Sequence, residues 1–257
     1  MDPVTACAVI GASLLHASWH ALVKTSGDRI VALAGMNVVS GACALLALPF
    51  VGIPSTPVFA VIGASVILHG CYKIFLARLY ERADFGVAYP LARGMTPLIA
   101  TLIAFITLRE MPAPSAIVGI LSISAGIAAL TFGRVNAAVD IRVLAMAGGT
   151  GGAVAAYSVL DAYGIRLSGD WMSFTAWLVL LDSAAFVTYA MAVCPGAVTG
   201  WKSGWRDVLV SGGLGITAFT VFLWALSRAP VGSVSALRET SVPVSYTHLT
   251  LPTILLV

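Results

Sequence analysis

Apolar runs of membrane length, separated by charged or Gly/Pro-rich punctuation, set the pattern of this chain. From residue 30 to 72 there is no Asp, Glu, Lys or Arg. A hydrocarbon core of ~30 Å is crossed by about 20 apolar residues of α-helix, so this stretch holds two spans. The Pro54-Ser55-Thr56-Pro57 turn divides them, because two prolines cannot continue a helix. Read the same way, the whole chain predicts spans over 4–24, 30–53, 58–80, 91–108, 115–133, 143–162, 171–194 and 207–227, with a ninth starting near Val231.

Composition narrows the class. Of 257 residues, 59% are apolar and 10% charged, with a mean hydropathy of +0.97, whereas a soluble domain carries about 25% charge. Disordered, coiled-coil and disulfide-rich secreted chains are excluded, and a β-barrel needs short alternating segments instead of unbroken apolar runs. The expected fold class is an all-α, polytopic membrane protein. A net charge of +3, scattered along the chain, offers no basic face for nucleic acid. Cys7, Cys43, Cys71 and Cys194 lie singly in apolar segments, which reads as buried structural thiols. The N-terminus lacks a basic leader region and reads as an uncleaved first span.

A shift of 146 positions superposes Arg82-Ala83, Gly86 and Leu91 on Arg228-Ala229, Gly232 and Leu237. In both places a span ends in a basic loop and the next is entered through small residues. The two copies are five spans apart. Because five is odd, the second crosses in the opposite direction, which predicts an inverted repeat, the usual ground plan of secondary transporters.

Ionisable side chains inside spans cost about 2.5–3.5 kcal/mol each on insertion scales, so they face a cavity or one another. Ser13, His16, His20 and Lys24 follow at helical steps on span one; His69, Tyr72 and Lys73 share a face of span three; Tyr157 and Asp161 share one on span six. Span four adds Tyr89 and Arg93, and span nine brings Arg238-Glu239. These stripes converge on one cavity, shaped by Trp19, Tyr72, Tyr89, Tyr157 and Trp224. Arg93 and Arg238 are candidates to hold a substrate carboxylate, and Asp161 and Glu239 to carry a coupling proton; the bland alternative is buried ion pairs that only fix helix packing. Lys73, about two turns inside its span, stays ambiguous. Asp182 is either a functional carboxylate or a partner of the Ser183 or Thr188 hydroxyl.

His16 and His20 have the four-residue spacing of a metal-binding helix, but no Cys or carboxylate motif accompanies them or His69. Cavity lining is the reading preferred over a metal site. Gly148, Gly152 and Ala156 recur every four positions and predict a close helix–helix approach. Tyr89-Pro90 and Gly94-Met95-Thr96-Pro97 predict a break or kink in span four, the alternative being that Pro90 merely occupies a first-turn position. No catalytic motif is visible, so an intramembrane enzyme is the least favoured class.

Three segments carry a family resemblance: Leu15-His16-Ala17-Ser18-Trp19-His20-Ala21-Leu22-Val23-Lys24, Ala88-Tyr89-Pro90-Leu91-Ala92-Arg93-Gly94 and Ala236-Leu237-Arg238-Glu239-Thr240-Ser241. Here the chain resembles the drug/metabolite transporter superfamily, EamA type. The resemblance implies a ten-span carrier of two inverted five-helix repeats around a central cavity. It also implies no bound cofactor, export of amino acids, metabolites or drugs, and a bacterial inner membrane. His20 stands where similar proteins often show Asn. On this frame residues 1–134 form the first repeat, and 143–243 the second without its last helix, so about nine spans are present. Residues 244–257 are expected to be a non-native tail, since Val244 to Thr253 is similar to a translated sequencing adapter.

The expected function is therefore a secondary transporter, an exporter of a small metabolite, amino acid or drug by alternating access. Its partners are the small-molecule substrate, the lipid bilayer and protons as coupling ion; a homodimer is left open. The rival is a non-transporting membrane scaffold or assembly protein. Basic residues flank odd-numbered span ends more often than even ones, which puts the N-terminus outside, whereas the resemblance implies cytoplasmic termini.

Overall fold

The computed structural model describes residues 1–25, 28–82, 85–132, 140–197, 199–200 and 204–242. Among these residues there are ten α-helices and no strand: α1 (Pro3–Thr25), α2 (Arg29–Ala47), which runs on into a 3-10 turn at Leu48–Phe50, α3 (Thr56–Arg82), α4 (Phe85–Gly94), α5 (Thr96–Leu108), α6 (Pro114–Phe132), α7 (Ile141–Ser168), α8 (Trp171–Val193), α9 (Trp205–Leu226) and α10 (Val231–Arg238). Each expected span has its helix, and the fourth is divided into α4 and α5. The expected tail lies outside the described residues, as do the side chains of Lys24 and Tyr89.

Among the described residues, six stretches are long and apolar enough to cross a membrane: Ile30–Phe50, Thr56–Leu79, Pro90–Leu108, Ile141–Ser168, Trp171–Val193 and Trp205–Leu226. α1, at 23 residues, and α6, at 19 residues, are also of membrane length.

Aspartates fix where several helices begin. Asp28, Asp140 and Asp170 precede α2, α7 and α8, and each accepts backbone N–H groups from the first turn, satisfying donors that have no partner within the helix. Asp2 does the same for α1, taking the Thr5 amide at 2.9 Å and its hydroxyl at 2.6 Å. Glu110, in the loop after α5, pairs with Arg166 on α7 and accepts the Val231 amide at the start of α10 at 2.9 Å.

Burial runs opposite to that of a water-soluble domain. Leu46, Phe50, Ile53, Ile67, Leu102 and Ile106 are exposed, while His16, His20, Asn37, His69, Arg93, Asp161, Arg238 and Glu239 are buried. That is the distribution expected where hydrocarbon is the outer solvent and polar groups must find partners inside. The cysteines depart from expectation: all four are free and none is buried, with Cys7 and Cys43 on the outer surface. A thiol is apolar enough to face lipid, so an apolar segment alone does not predict burial.

The most extensive packing is α3 on α7, α1 on α9 and α2 on α8, followed by α2 on α9, α5 on α7, α5 on α10 and α3 on α8. The expected approach at Gly148 and Gly152 is not used, since a Cβ at either would meet nothing within 4 Å. Gly151, on the neighbouring face of α7, takes the close contact: a Cβ there would lie 2.4 Å from the Ala92 carbonyl oxygen of α4. Four-residue spacing identified the helix but not the face turned to its neighbour.

The break between α4 and α5 falls at Met95. Pro97 has no N–H for the Arg93 carbonyl, and the Thr96 hydroxyl takes the Ala92 carbonyl at 3.2 Å. Pro90 lies within α4 instead of opening it.

Candidate functional site

Seven helices contribute side chains to one cavity of about 140 Å³. α1 provides Ser13, His16 and Trp19; α2 Met36, Asn37 and Ser40; α3 His69, Tyr72 and Lys73; α7 Tyr157; α8 Asp182 and Ser183; α9 Phe219 and Phe222; and α10 Arg238. The rest of the wall is mostly aliphatic. A few directed polar groups in an apolar, aromatic wall are the usual make-up of a small-molecule site.

Within the cavity, Lys73 forms the hub of one polar group. Its Nζ donates to Asp182 Oδ2 at 2.7 Å and to Asn37 Oδ1 at 2.9 Å, and lies 4.7 Å from the centre of the Phe186 ring. The Asn37 amide in turn donates to the Leu33 carbonyl at 2.8 Å. Both charged side chains keep some exposure, 12% for Lys73 and 14% for Asp182. The Thr188 hydroxyl, one of the two considered for Asp182, instead donates to the Ala184 carbonyl.

His69 and Tyr157 link the cavity to a deeper layer. Their rings stack at 3.9 Å between centres, and His69 Nε2 lies 3.2 Å from Asp161 Oδ2. The Ser65 hydroxyl donates to the other oxygen of Asp161, which is completely buried. Tyr157 accepts a 3.0 Å hydrogen bond from Arg238 Nη2, and the Arg238 guanidinium lies 4.3 Å from the Phe222 ring centre. Among the described residues no carboxylate oxygen lies within ion-pair distance of Arg238, and its Nη1 has no hydrogen-bond partner.

On α1, the Trp19 indole donates to His16 Nδ1 at 3.1 Å, and His16 Nε2 lies 3.2 Å from His20 Nε2. His20 stacks beneath Trp19, with ring centres 3.7 Å apart, behind the cavity wall. Among the described residues no group of three or more His, Cys, Asp or Glu side chains is arranged to hold a metal ion.

The expected site residues thus divide into two sets. His16, Trp19, His69, Tyr72, Lys73, Tyr157 and Arg238 meet at the cavity. Arg93 is instead buried against Glu239, with Nε 2.8 Å from Oε2, and neither lines the cavity; nor do Asp161 and His20. Trp224 lies against the apolar core, with the Arg228 guanidinium 4.9 Å from its ring centre. Asn37, Asp182, Ser183, Phe219 and Phe222 were not anticipated as a set. Val179, Asp182, Ser183 and Phe186 follow at helical spacing on α8, a signal that could have pointed to Asp182.

The chain matches no family model and no curated protein. A solved structure described as "Crystal structure of protein" superposes with a TM-score of 0.77 at 18% sequence identity, over 98% of this chain and 91% of that one. At that identity the likeness shows the fold alone. Among the described residues, the fold is all-helical, with six helices long and apolar enough to cross a membrane.

Proposed function

We propose that this protein is a secondary transporter of the drug/metabolite type, exporting a small molecule across a bacterial inner membrane by alternating access. The observation that carries the reading is the cavity itself: an aromatic and charged chamber walled by seven lipid-compatible helices. Polar side chains are costly there unless they meet a ligand or one another.

The helix packing supports the inverted repeat. Exchanging α1 with α7, α2 with α8, α3 with α9 and α4 with α10 turns the α3–α7 contact into α9–α1, the α3–α8 contact into α9–α2 and the α4–α7 contact into α10–α1. The same exchange returns α2–α8 to itself. Interrupted helices at a repeat interface are a recurrent feature of such carriers, and α4 and α10 both end beside their buried charges. On this reading a complete carrier has ten spans, the repeats rock about the cavity, and Arg238 holds a substrate carboxylate through charge-assisted hydrogen bonds.

The test is flux. The protein in proteoliposomes, offered a panel of labelled carboxylates, amino acids and amphiphilic drugs, is expected to move at least one class. Arg238→Ala should lower that flux at least tenfold. Absence of flux for every class, or unchanged flux in Arg238→Ala and His69→Ala together, would sink the proposal.

A further inference from the structure

Counted by formal charge, the acidic and basic groups inside the described bundle balance. Arg93 and Arg238 are buried, as are Asp161 and Glu239, and the partly buried pair of Lys73 and Asp182 adds one charge of each sign. An anion entering alone would leave the centre of the bundle with a net negative charge in a medium of low dielectric constant, which is expensive. An anion entering with one proton leaves the balance unchanged.

Geometry decides which carboxylate takes that proton. Asp161 is fully buried, held by Ser65 and His69, and Glu239 is enclosed beside Arg93. Asp182 is the one carboxylate among the described residues that lines the cavity. Its partner Lys73 lines the same cavity as Arg238.

Resting on the reading of this cavity as a substrate site, we propose that it binds a monovalent carboxylate together with one proton, and that Asp182 is the seat of that proton. Protonation converts the Asp182 carboxylate to the neutral acid and breaks its ion pair with Lys73. Lys73 Nζ is then free to share, with Arg238, the carboxylate of the ligand. One proton and one negative charge enter, no covalent bond to carbon changes, and both leave together when the cavity opens on the other side. The titratable and charged groups facing the pair are Lys73, His69 and Tyr72 from α3, His16 from α1, Tyr157 from α7 and Arg238 from α10; α2 and α9 present only neutral side chains to the cavity.

Benzoate is a suitable probe, with benzyl alcohol as its neutral counterpart and benzylammonium as its cationic one. Binding is read by thermal stabilisation of the purified protein in detergent, in buffers that are alkaline and mildly acidic but still above the pKa of benzoate. The expected result is stabilisation by benzoate alone. For one linked proton the affinity rises by up to about tenfold per pH unit on acidification. Asp182→Asn mimics the protonated state and should bind benzoate equally at both pH values. Lys73→Gln/Asp182→Asn, which removes both partners and so leaves no orphaned charge, should bind more weakly and also without pH dependence.

Persistence of the pH dependence in Asp182→Asn would hand the proton to His16 or His69 and overturn the proposal, as would equal stabilisation by benzyl alcohol or no stabilisation by benzoate. The flux assay is separate: pH-linked binding without flux removes the transport reading and leaves Asp182 as a proton site. Flux of a carboxylate without pH-linked binding removes the Asp182 assignment alone.

Discussion

Arg93 Nε donates a 2.8 Å hydrogen bond to Glu239 Oε2 across 146 residues of chain, the same shift that superposes the internal repeat. On the repeat proposed above, equivalent positions of the two copies meet, one basic and one acidic. Two copies of the same charged residue could not face each other inside the bundle; opposite charges can.

Removing one partner of this pair takes from the other a 2.8 Å charge-assisted hydrogen bond inside the bundle. Arg93→Met and Glu239→Gln are each expected to destabilise the fold by about 3–5 kcal/mol. The exchange Arg93→Glu/Glu239→Arg should recover most of that loss. Thermal unfolding of the purified protein in detergent measures it, and a double variant no better than the singles would refute a pairwise interaction.

The α4–α7 contact predicts an asymmetry between adjacent glycines. Gly151→Val drives its side chain into the Ala92 carbonyl and should cost about 1–3 kcal/mol or more through forced backbone movement. A Cβ at Gly152 meets nothing within 4 Å, so Gly152→Val should be nearly neutral. Similar midpoints for the two variants would contradict the face assigned to α7.

Asp161 holds the Ser65 hydroxyl and His69 from a fully buried position. Asp161→Ala leaves both partners unsatisfied and should destabilise by about 1–3 kcal/mol. Asp161→Asn retains an oxygen for Ser65 and should lose less. The same unfolding assay separates them, and equal losses would argue against the Ser65 bond.

The start of α1 should respond to acid. The Thr5 hydroxyl and then the Thr5 amide hold the Asp2 carboxyl below its ordinary value of 3.8. A lowered folded pKa means that the cap's contribution is complete above the ordinary value and lost as pH falls through the lowered one. Hydrogen exchange at the Thr5 amide should show protection that weakens in acid. Asp2→Asn should shift or abolish this pH dependence, and an unchanged profile would assign the protection to something else.

Hydropathy, proline placement and the 3.6-residue period are local properties, so the sequence by itself determined the all-helical class, the positions of the long apolar helices and the interruption between α4 and α5. It also determined which face of α1, α3 and α7 is polar. His16, His69, Tyr157 and Arg238 were legible as inward-facing for that reason. Which inward-facing residues meet was decided only by the tertiary structure. Lys73 and Asp182 lie 109 residues apart, and each is consistent on its own helix with several partners. The packing of α2, α3 and α8 selects one, because a buried charge is stable only where the opposite charge arrives at hydrogen-bond distance. The same packing took Arg93 out of the cavity and set it against Glu239, and it turned Gly151 instead of Gly148 or Gly152 towards α4. A helical period fixes a face to within a turn, but the rotation of each helix about its axis depends on all its neighbours.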